Sequence, residues 1–430
     1  MIGRLKYDPS VTADPTVAPS FHEALRFWIK LGFISFGGPS GQIAIMHREL
    51  VEKRRWISGE RFLHALNFCM LLPGPEAMQL ATYIGWLLHK TRGGIAAGAL
   101  FVLPSAILLW LLSWLYMAFG NVPSIAALFE GLKPAVLAII LSALLRMGQK
   151  ALRNIVLGAL SFAAFVALFF LNAPFPMVIA LAALIGACWP RAFSAPPESP
   201  ILAPPRPSAA RALRVMSVSL LLWWAPVGAA ALWLGADHAI IRQALFFSKA
   251  ALVTFGGAYA VLPYVSQQAV EHYQWLSPAQ MLDGLGLAET TPGPLIMVLQ
   301  FVGFVGAWQH PGALSPLAAA TLGAFLTTWT TFIPCFLWIF LGAPHIEQLR
   351  GRRKLGAALA AVTAAVTGVI LNLAVWFGLH LLFPRGQPPN LFAAALAALA
   401  FFALQKWKLE VVWIIAGGAL AGLLKSLLAP

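Results

Sequence analysis

Apolar runs separated by short polar connections fill this chain from residue 21 onward. They fall near 21–46, 62–88, 93–118, 125–147, 154–171, 174–189, 212–235, 240–265, 281–307, 317–343, 355–382, 391–404 and 411–424. A helix crossing a bilayer needs about 20 such residues, so the pattern predicts about thirteen helical segments, several too short or too broken for a full span. Two runs are interrupted at their centres, by Leu71-Leu72-Pro73-Gly74-Pro75-Glu76 and by Thr290-Thr291-Pro292-Gly293-Pro294-Leu295. Gly37-Gly38-Pro39 and Gly256-Gly257 interrupt two more. Broken backbone at membrane depth is tolerated only where it is buried in protein or lines a cavity.

The interruptions recur in register. One constant offset along the chain, without a gap, superposes Phe27 on Phe246, Lys30 on Lys249, Phe36-Gly37-Gly38 on Phe255-Gly256-Gly257, Trp56 on Trp275 and Pro73-Gly74-Pro75 on Pro292-Gly293-Pro294. The same offset carries Glu52 onto Glu271, Ser58 onto Ser277 and Met78 onto Met297. Shared apolar composition alone would not keep Trp, Lys, Glu and glycines in one register, so the chain reads as two repeats. The expected organisation is a cytoplasmic tail over 1–20, a first repeat over 21–190, a Pro-rich cytoplasmic linker over 191–211, a connecting helix over 212–235 and a second repeat over 240–430. The tail carries Arg4, Lys6, Asp8 and Asp14 without an apolar core, so no cleavable signal is expected.

Composition fixes the class. With 60% hydrophobic and 10% charged residues and a mean hydropathy of +0.79, the chain is expected to be an all-α polytopic membrane protein. A net charge of +14 could suggest nucleic acid, but the Lys and Arg lie mainly in short connections and form no basic stripe. Cys69, Cys188 and Cys335 sit in apolar runs without ligand spacing and read as core residues. No metal, cofactor, Walker, nucleophile-elbow or zincin pattern is present, so an enzyme is not expected.

Charge then orients the repeats. The connection His47-Arg48-Glu49-Leu50-Val51-Glu52-Lys53-Arg54-Arg55 is basic, whereas its counterpart over 266–274 has no Lys or Arg. By the positive-inside rule the repeats lie oppositely in the membrane. Cationic residues flank both 21–46 and 62–88 on each side, so each is expected to turn back as a re-entrant hairpin at its break. Thirteen full crossings is the rival count, which would place Lys53-Arg54-Arg55 outside.

The candidate residues follow from these breaks. Glycine supplies unusual backbone angles and proline suits a new first turn, so Gly37, Gly38, Pro73, Gly74, Pro75, Gly256, Gly257 and Gly293 are expected to present helix starts to an anion. A packing kink is the plainer reading of any single break. Lys30 and Lys249 interrupt apolar stretches at equivalent positions and are candidate ligands, with snorkelling as the alternative. Two helix starts of roughly half a charge each, plus a lysine, offer about two positive units, enough for a divalent oxyanion. Gln79, Thr290, Thr291 and Gln300 can hydrogen-bond oxyanion oxygens or serve helix packing. Glu76 and Glu289, which are not repeat equivalents, are candidates for proton exchange. His47, Arg48, Glu52, Arg54 and Arg55 read as a gate or as a topology and headgroup signal.

Taken together, Phe36-Gly37-Gly38-Pro39, the His47 to Ser58 loop, Leu72-Pro73-Gly74-Pro75 with Gln79, Thr254-Phe255-Gly256-Gly257 and Thr290-Thr291-Pro292-Gly293-Pro294 resemble the chromate ion transporter family in its long two-domain form. The resemblance covers about 21–380 and implies export of chromate across a bacterial inner membrane, conferring resistance. Sulfate, another tetrahedral dianion, stands as a competing cargo, and protons as the coupled ion. The second half departs from the pattern, with Ala258 where Pro39 would fall. A sulfate or other oxyanion uptake carrier, a passive anion channel and a membrane enzyme acting on lipid-linked phosphate remain alternatives. A homodimer is left open.

Overall fold

A computed structural model describes residues 19–36, 38–193, 209–343, 353–384 and 388–428. Among the described residues every element is helical. The first half holds α1 (Phe21–Ile34), α2 (Gly38–His47), a π-helical turn (Arg48–Lys53), α3 (Gly59–Cys69), α4 (Glu76–Phe119), α5 (Pro123–Ala151), α6 (Ile155–Phe169), α7 (Phe175–Cys188) and a single turn, α8 (Pro190–Phe193). Helix α9 (Ala209–Leu234) follows. The second half holds α10 (Ala239–Val253), α11 (Ala258–Gln267), a π-helical turn (Gln268–His272), α12 (Pro278–Thr290), a 3-10 turn (Leu295–Met297), α13 (Val298–Gln309), α14 (Pro316–Gly342), α15 (Arg353–Leu382), α16 (Leu391–Phe402) and α17 (Val411–Leu428).

Helices α4, α5, α9, α14, α15 and α17 are long and apolar enough to cross a bilayer, and α6, α7, α13 and α16 are shorter apolar helices. The chain is a multi-pass membrane protein. In α5, α14 and α15, 61% of the most apolar window is buried, against 17% in α9 and 22% in α17. The former three therefore form the centre, and the latter two face lipid. Large apolar side chains point outward on α6, α9, α16 and α17, among them Ile155, Leu232, Leu391 and Trp413. Cys188, read from the sequence as a core residue, is exposed; it is the last residue of α7, where the helix leaves its packing. Cys69 and Cys335 are buried.

Sequence drives the close packing at defined points. Gly131 of α5 crosses the Gly418 and Gly422 ridge of α17 so tightly that a Cβ would lie 2.1 Å from the Gly418 carbonyl oxygen, a small-residue contact suited to lipid, where solvent gives no drive for association. Helix α4 is bent back on itself at His89 and Lys90, with Lys90 at φ 53°. A Cβ on Gly85 would meet the Gly93 carbonyl oxygen at 2.4 Å and Ala97 Cβ at 2.6 Å, so the limb from Glu76 to Leu88 lies against the start of the longer limb.

The two halves match in detail under the repeat offset. Ser58 caps α3 and Ser277 caps α12. Both π-helical turns close alike, with the Trp56 amide on the Leu50 carbonyl at 2.9 Å and the Trp275 amide on the Ala269 carbonyl at 2.7 Å. Arg55 and Gln274 share a left-handed φ of 53° and 52°. Phe27 meets Trp56 edge-on at 5.4 Å, and Phe246 meets Trp275 at 5.7 Å. Above these rings the basic half places Arg54, whose guanidinium carbon is 4.9 Å from the Trp56 ring. The other half stacks Tyr273 on Trp275 at 4.4 Å.

Residues 194–208, which hold most of the Pro-rich linker, and 344–352 lie outside the described residues, as do Gly37 and residues 1–18 of the expected tail.

Candidate functional site

Four helix ends meet where the breaks cross. The first Pro-Gly-Pro joins α3 to α4, with Gly74 at φ +128°, and the second joins α12 to the 3-10 turn, with Gly293 at φ +105°. Such angles exclude a Cβ-bearing residue at low cost. The Gly74 amide donates to the Thr254 carbonyl at 2.7 Å, and the Gly293 amide donates to the Ser35 carbonyl at 2.8 Å. These are one contact made twice, because Gly74 and Gly293, and Ser35 and Thr254, are repeat equivalents. Reciprocal contacts of this kind define an approximate two-fold relation. They also engage the two central amides, so anion-facing N–H groups must come from the helix starts that follow.

Those starts differ between halves. Gly257, at φ +91°, is the N-cap of α11, and a Cβ there would lie 2.9 Å from Glu76 Oε1 and 3.1 Å from Oε2. The carboxylate at the start of α4 thus rests against the start of α11 in the other repeat. Its Oε2 is buried without a hydrogen-bond partner. At Gly38, the counterpart of Gly257 and the start of α2, φ is +68° and nothing lies within 4 Å of a Cβ. Leu295 replaces Glu76 in the second repeat, so among the described residues one helix start, that of α11, faces an acid from the opposite break.

Further buried oxygens ring the breaks without donors. Gln79 Nε2 donates to the Pro73 carbonyl at 2.8 Å, leaving Oε1 unpartnered. Gln42 Nε2 donates to the carbonyls of Gly293 and Ser35, and its Oε1 is likewise unpartnered. The Ser105 hydroxyl is also buried without a partner, with Ser105 Cβ 2.7 Å from a Cβ position on Gly293. Pro73 and Pro75 shape the first break, Pro75 as the N-cap of α4. Neither Gln42 nor Ser105 stands out in sequence, since single polar residues in apolar helices are common.

Other candidates fall elsewhere. Lys30 and Lys249 are exposed. Helix α1 buries Ala24, Phe27, Trp28 and Leu31, which turns Arg26 and Lys30 outward. Arg242, Leu245, Lys249 and Leu252 form the outward stripe of α10. Gln300 serves helix packing, donating to the Ala106 carbonyl at 2.7 Å and accepting from Thr328. Thr290 and Thr291 return their hydroxyls to the Leu287 and Ala288 carbonyls of their own helix. Gly256 is exposed and lies 3.7 Å, at its Cβ position, from Met147 Cε. Glu289 is buried and accepts a hydrogen bond from Tyr259 of α11.

The basic connection is knitted together. His47 Nδ1 is 3.1 Å from Glu52, Arg54 is 3.6 Å from Glu23, and Lys53 Nζ donates to Glu49 at 2.7 Å. That last bond holds the Glu49 carboxyl below the usual carboxylate range. Arg48 and Arg55 are exposed. Among the described residues no group of His, Cys, Asp and Glu could hold a metal.

The chain is 32% identical over 446 residues to a chromate transport protein of Pseudomonas aeruginosa, covering 97% of this chain and 96% of that one. It is 29% identical over 426 residues to a chromate transport protein of Cupriavidus metallidurans, covering 95% and 96%. A probable chromate transport protein of Synechococcus elongatus is 28% identical over 420 residues, covering 95% and 96%. No solved structure matches. Residues 22–187 and 241–423, one block in each half, match the same profile, and the chain belongs to the chromate transporter family.

Proposed function

We propose that the protein is a secondary transporter that exports chromate from the cytoplasm of a bacterium across its inner membrane, its movement linked to protons, and so confers resistance. The amino terminus is cytoplasmic, and the two-fold axis lies in the membrane plane, because the equivalent loops 47–55 and 266–274 carry opposite amounts of positive charge. One observation carries the proton role: the Glu76 carboxylate rests on the α11 start at Gly257. An ionised Glu76 occupies the position an oxyanion would otherwise use and repels it. At an effective dielectric of about 20, two unit charges about 4 Å apart interact by about 4 kcal/mol, close to a thousandfold in occupancy. A proton on Glu76 removes that repulsion, so proton and oxyanion arrive together at the breaks, with the start of α2 and the Ser105 hydroxyl available to the anion.

The test is chromate flux in everted vesicles with an imposed pH gradient, for wild type and Glu76→Gln, with Lys30→Ala and Lys249→Ala as outward-face comparisons. The expected result is flux that loses its dependence on the gradient in Glu76→Gln and persists in both lysine variants. Absence of chromate flux in wild type would sink the transport reading, and unchanged gradient dependence in Glu76→Gln would remove the carboxylate's role. Cells expressing the chain should tolerate chromate; sensitisation would show uptake instead.

A further inference from the structure

A second charged cluster joins the two halves outside the breaks. Asp283 of α12 is 3% exposed, and its Oδ2 accepts a hydrogen bond from the Tyr116 hydroxyl of α4 at 2.9 Å. Lys133 Nζ of α5 stands 3.6 Å from Asp283 Oδ1, and Oδ1 has no hydrogen-bond donor. The groups are held in place by packing. Tyr116 sits edge-on to Phe129 at 4.8 Å and to Phe301 at 5.3 Å. Helix α12 closes on α5 at Gly286, where a Cβ would come within 1.9 Å of Leu132 Cδ2.

This pair is poorly built for stability. A buried ion pair offsets its desolvation only with close geometry and further hydrogen bonds, and here one carboxylate oxygen lacks any. Ionisable residues kept at membrane depth mark ion or proton pathways. The two members also differ in access: the Lys133 side chain keeps 19% of its surface exposed, the Asp283 side chain 4%. Asp283 lies six residues before Glu289, about 9 Å along the helix, toward the end that begins at Pro278 after the loop without Lys or Arg.

Resting on the transport reading above, we propose that Asp283 and Lys133 form a proton-linked oxyanion relay on the extracytoplasmic side of the breaks. With Asp283 ionised, Lys133 is neutralised by it. A proton on Asp283 leaves the Lys133 ammonium without its counter-charge, and the ammonium then holds a tetrahedral oxyanion. The linkage is reciprocal: each bound anion also favours the proton.

The surroundings leave these two groups to each other. Among the described residues of helices packed on α12, α13 brings no titratable side chain and α4 brings Tyr116. Lys425 of α17 is engaged with Glu130 of α5 at 2.7 Å, and Arg146, further along α5, acts on Glu289. His380 of α15 bonds the Trp376 carbonyl of its own helix.

The experiment compares the full chain in proteoliposomes, as wild type, Asp283→Asn and Lys133→Gln, using chromate in two modes: exchange at equal pH and net movement driven by a pH gradient. Asp283→Asn keeps the oxygen that Tyr116 bonds and mimics the protonated acid. It should retain exchange within about twofold and lose gradient-driven movement at least tenfold. Lys133→Gln removes the ammonium that holds the anion and should lower both modes at least tenfold, whereas Lys133→Arg, which keeps the charge, should restore them. Gradient-driven movement within twofold of wild type in Asp283→Asn, or loss of both modes in monodisperse Asp283→Asn, would overturn the relay. Should Asp283→Asn fail to fold, exchange within twofold of wild type in Lys133→Gln overturns it alone. Wild-type protein inert in both modes would instead defeat the transport reading.

Discussion

Gly257→Ala should be far more damaging than its repeat equivalent Gly38→Ala, and the difference should run through Glu76. Gly257 sits at φ +91° and ψ 177°, a region essentially closed to other residues, which costs about 1–3 kcal/mol to impose on alanine. The new Cβ would also stand 2.9 and 3.1 Å from the two Glu76 oxygens, so the carboxylate must move. Gly38 also has a positive φ, +68°, which costs alanine about 1–2 kcal/mol, but its Cβ would meet nothing within 4 Å. With about 1 °C of thermal midpoint per kcal/mol in a chain of this size, Gly38→Ala should lower the midpoint by about 1–2 °C and Gly257→Ala by more. The steric part belongs to the pair and should disappear in a Glu76→Ala background. A double-mutant cycle there should return a coupling of about 1 kcal/mol, and the same cycle with Gly38 nearly none. The assay is the thermal midpoint of purified full chain in detergent, read beside chromate flux. Equal coupling of both glycines to Glu76, or none for either, would refute the placement of that carboxylate.

Three further outcomes follow from described contacts. Gln300→Leu should remove the bond to the Ala106 carbonyl and the one from the Thr328 hydroxyl, which keeps its bond to the Ala324 carbonyl, lowering stability by about 0.5–1.5 kcal/mol while leaving the chromate-to-sulfate preference unchanged in a competition assay. Acidification should loosen the basic connection. The Glu49 carboxyl is held low by Lys53, so this contribution is complete above the carboxyl's unfolded pKa and is lost as pH falls through the lower folded value. With Lys53 largely exposed, the effect is about 0.5 kcal/mol, and proteolysis near Arg55 should rise in acid, below the ordinary carboxylate range, in wild type but show no such step in Glu49→Gln. A membrane-permeant maleimide should label Cys188 quickly, and Cys69 and Cys335 at least tenfold more slowly, because only Cys188 is exposed.

Fold class and repeat were legible because the residues that carry them are irreplaceable at their positions. Gly74 and Gly293 need positive φ, and Trp56 and Trp275 close matching turns, so these residues persist while their neighbours drift. The lysines show the opposite case. Their shared register suggested a site, yet the buried phase of α1 at Ala24, Phe27, Trp28 and Leu31 already points Lys30 outward, a fact carried by helical period rather than by identity. Asp283 gave a signal as one of two acids in an apolar run. Its partner Lys133 could not be paired with it from sequence, because the two are joined only by how α12 packs on α5. The engagement of the Gly74 and Gly293 amides was likewise invisible, since their acceptors come from the opposite repeat.

That crossed pairing bears on how the chain is made. The Gly74 amide waits for the carbonyl of Thr254, which belongs to the second half, and the Gly293 amide meets a Ser35 carbonyl synthesised near the beginning of the first. At about 5–20 residues per second, the stretch from Gly74 to Thr254 takes roughly 9–36 seconds to synthesise. During that interval the Gly74 amide lacks its native partner at membrane depth, where an unsatisfied amide costs several kcal/mol. The first half therefore completes its fold only once the second has been inserted beside it, and assembly of the central breaks is a late, concerted step.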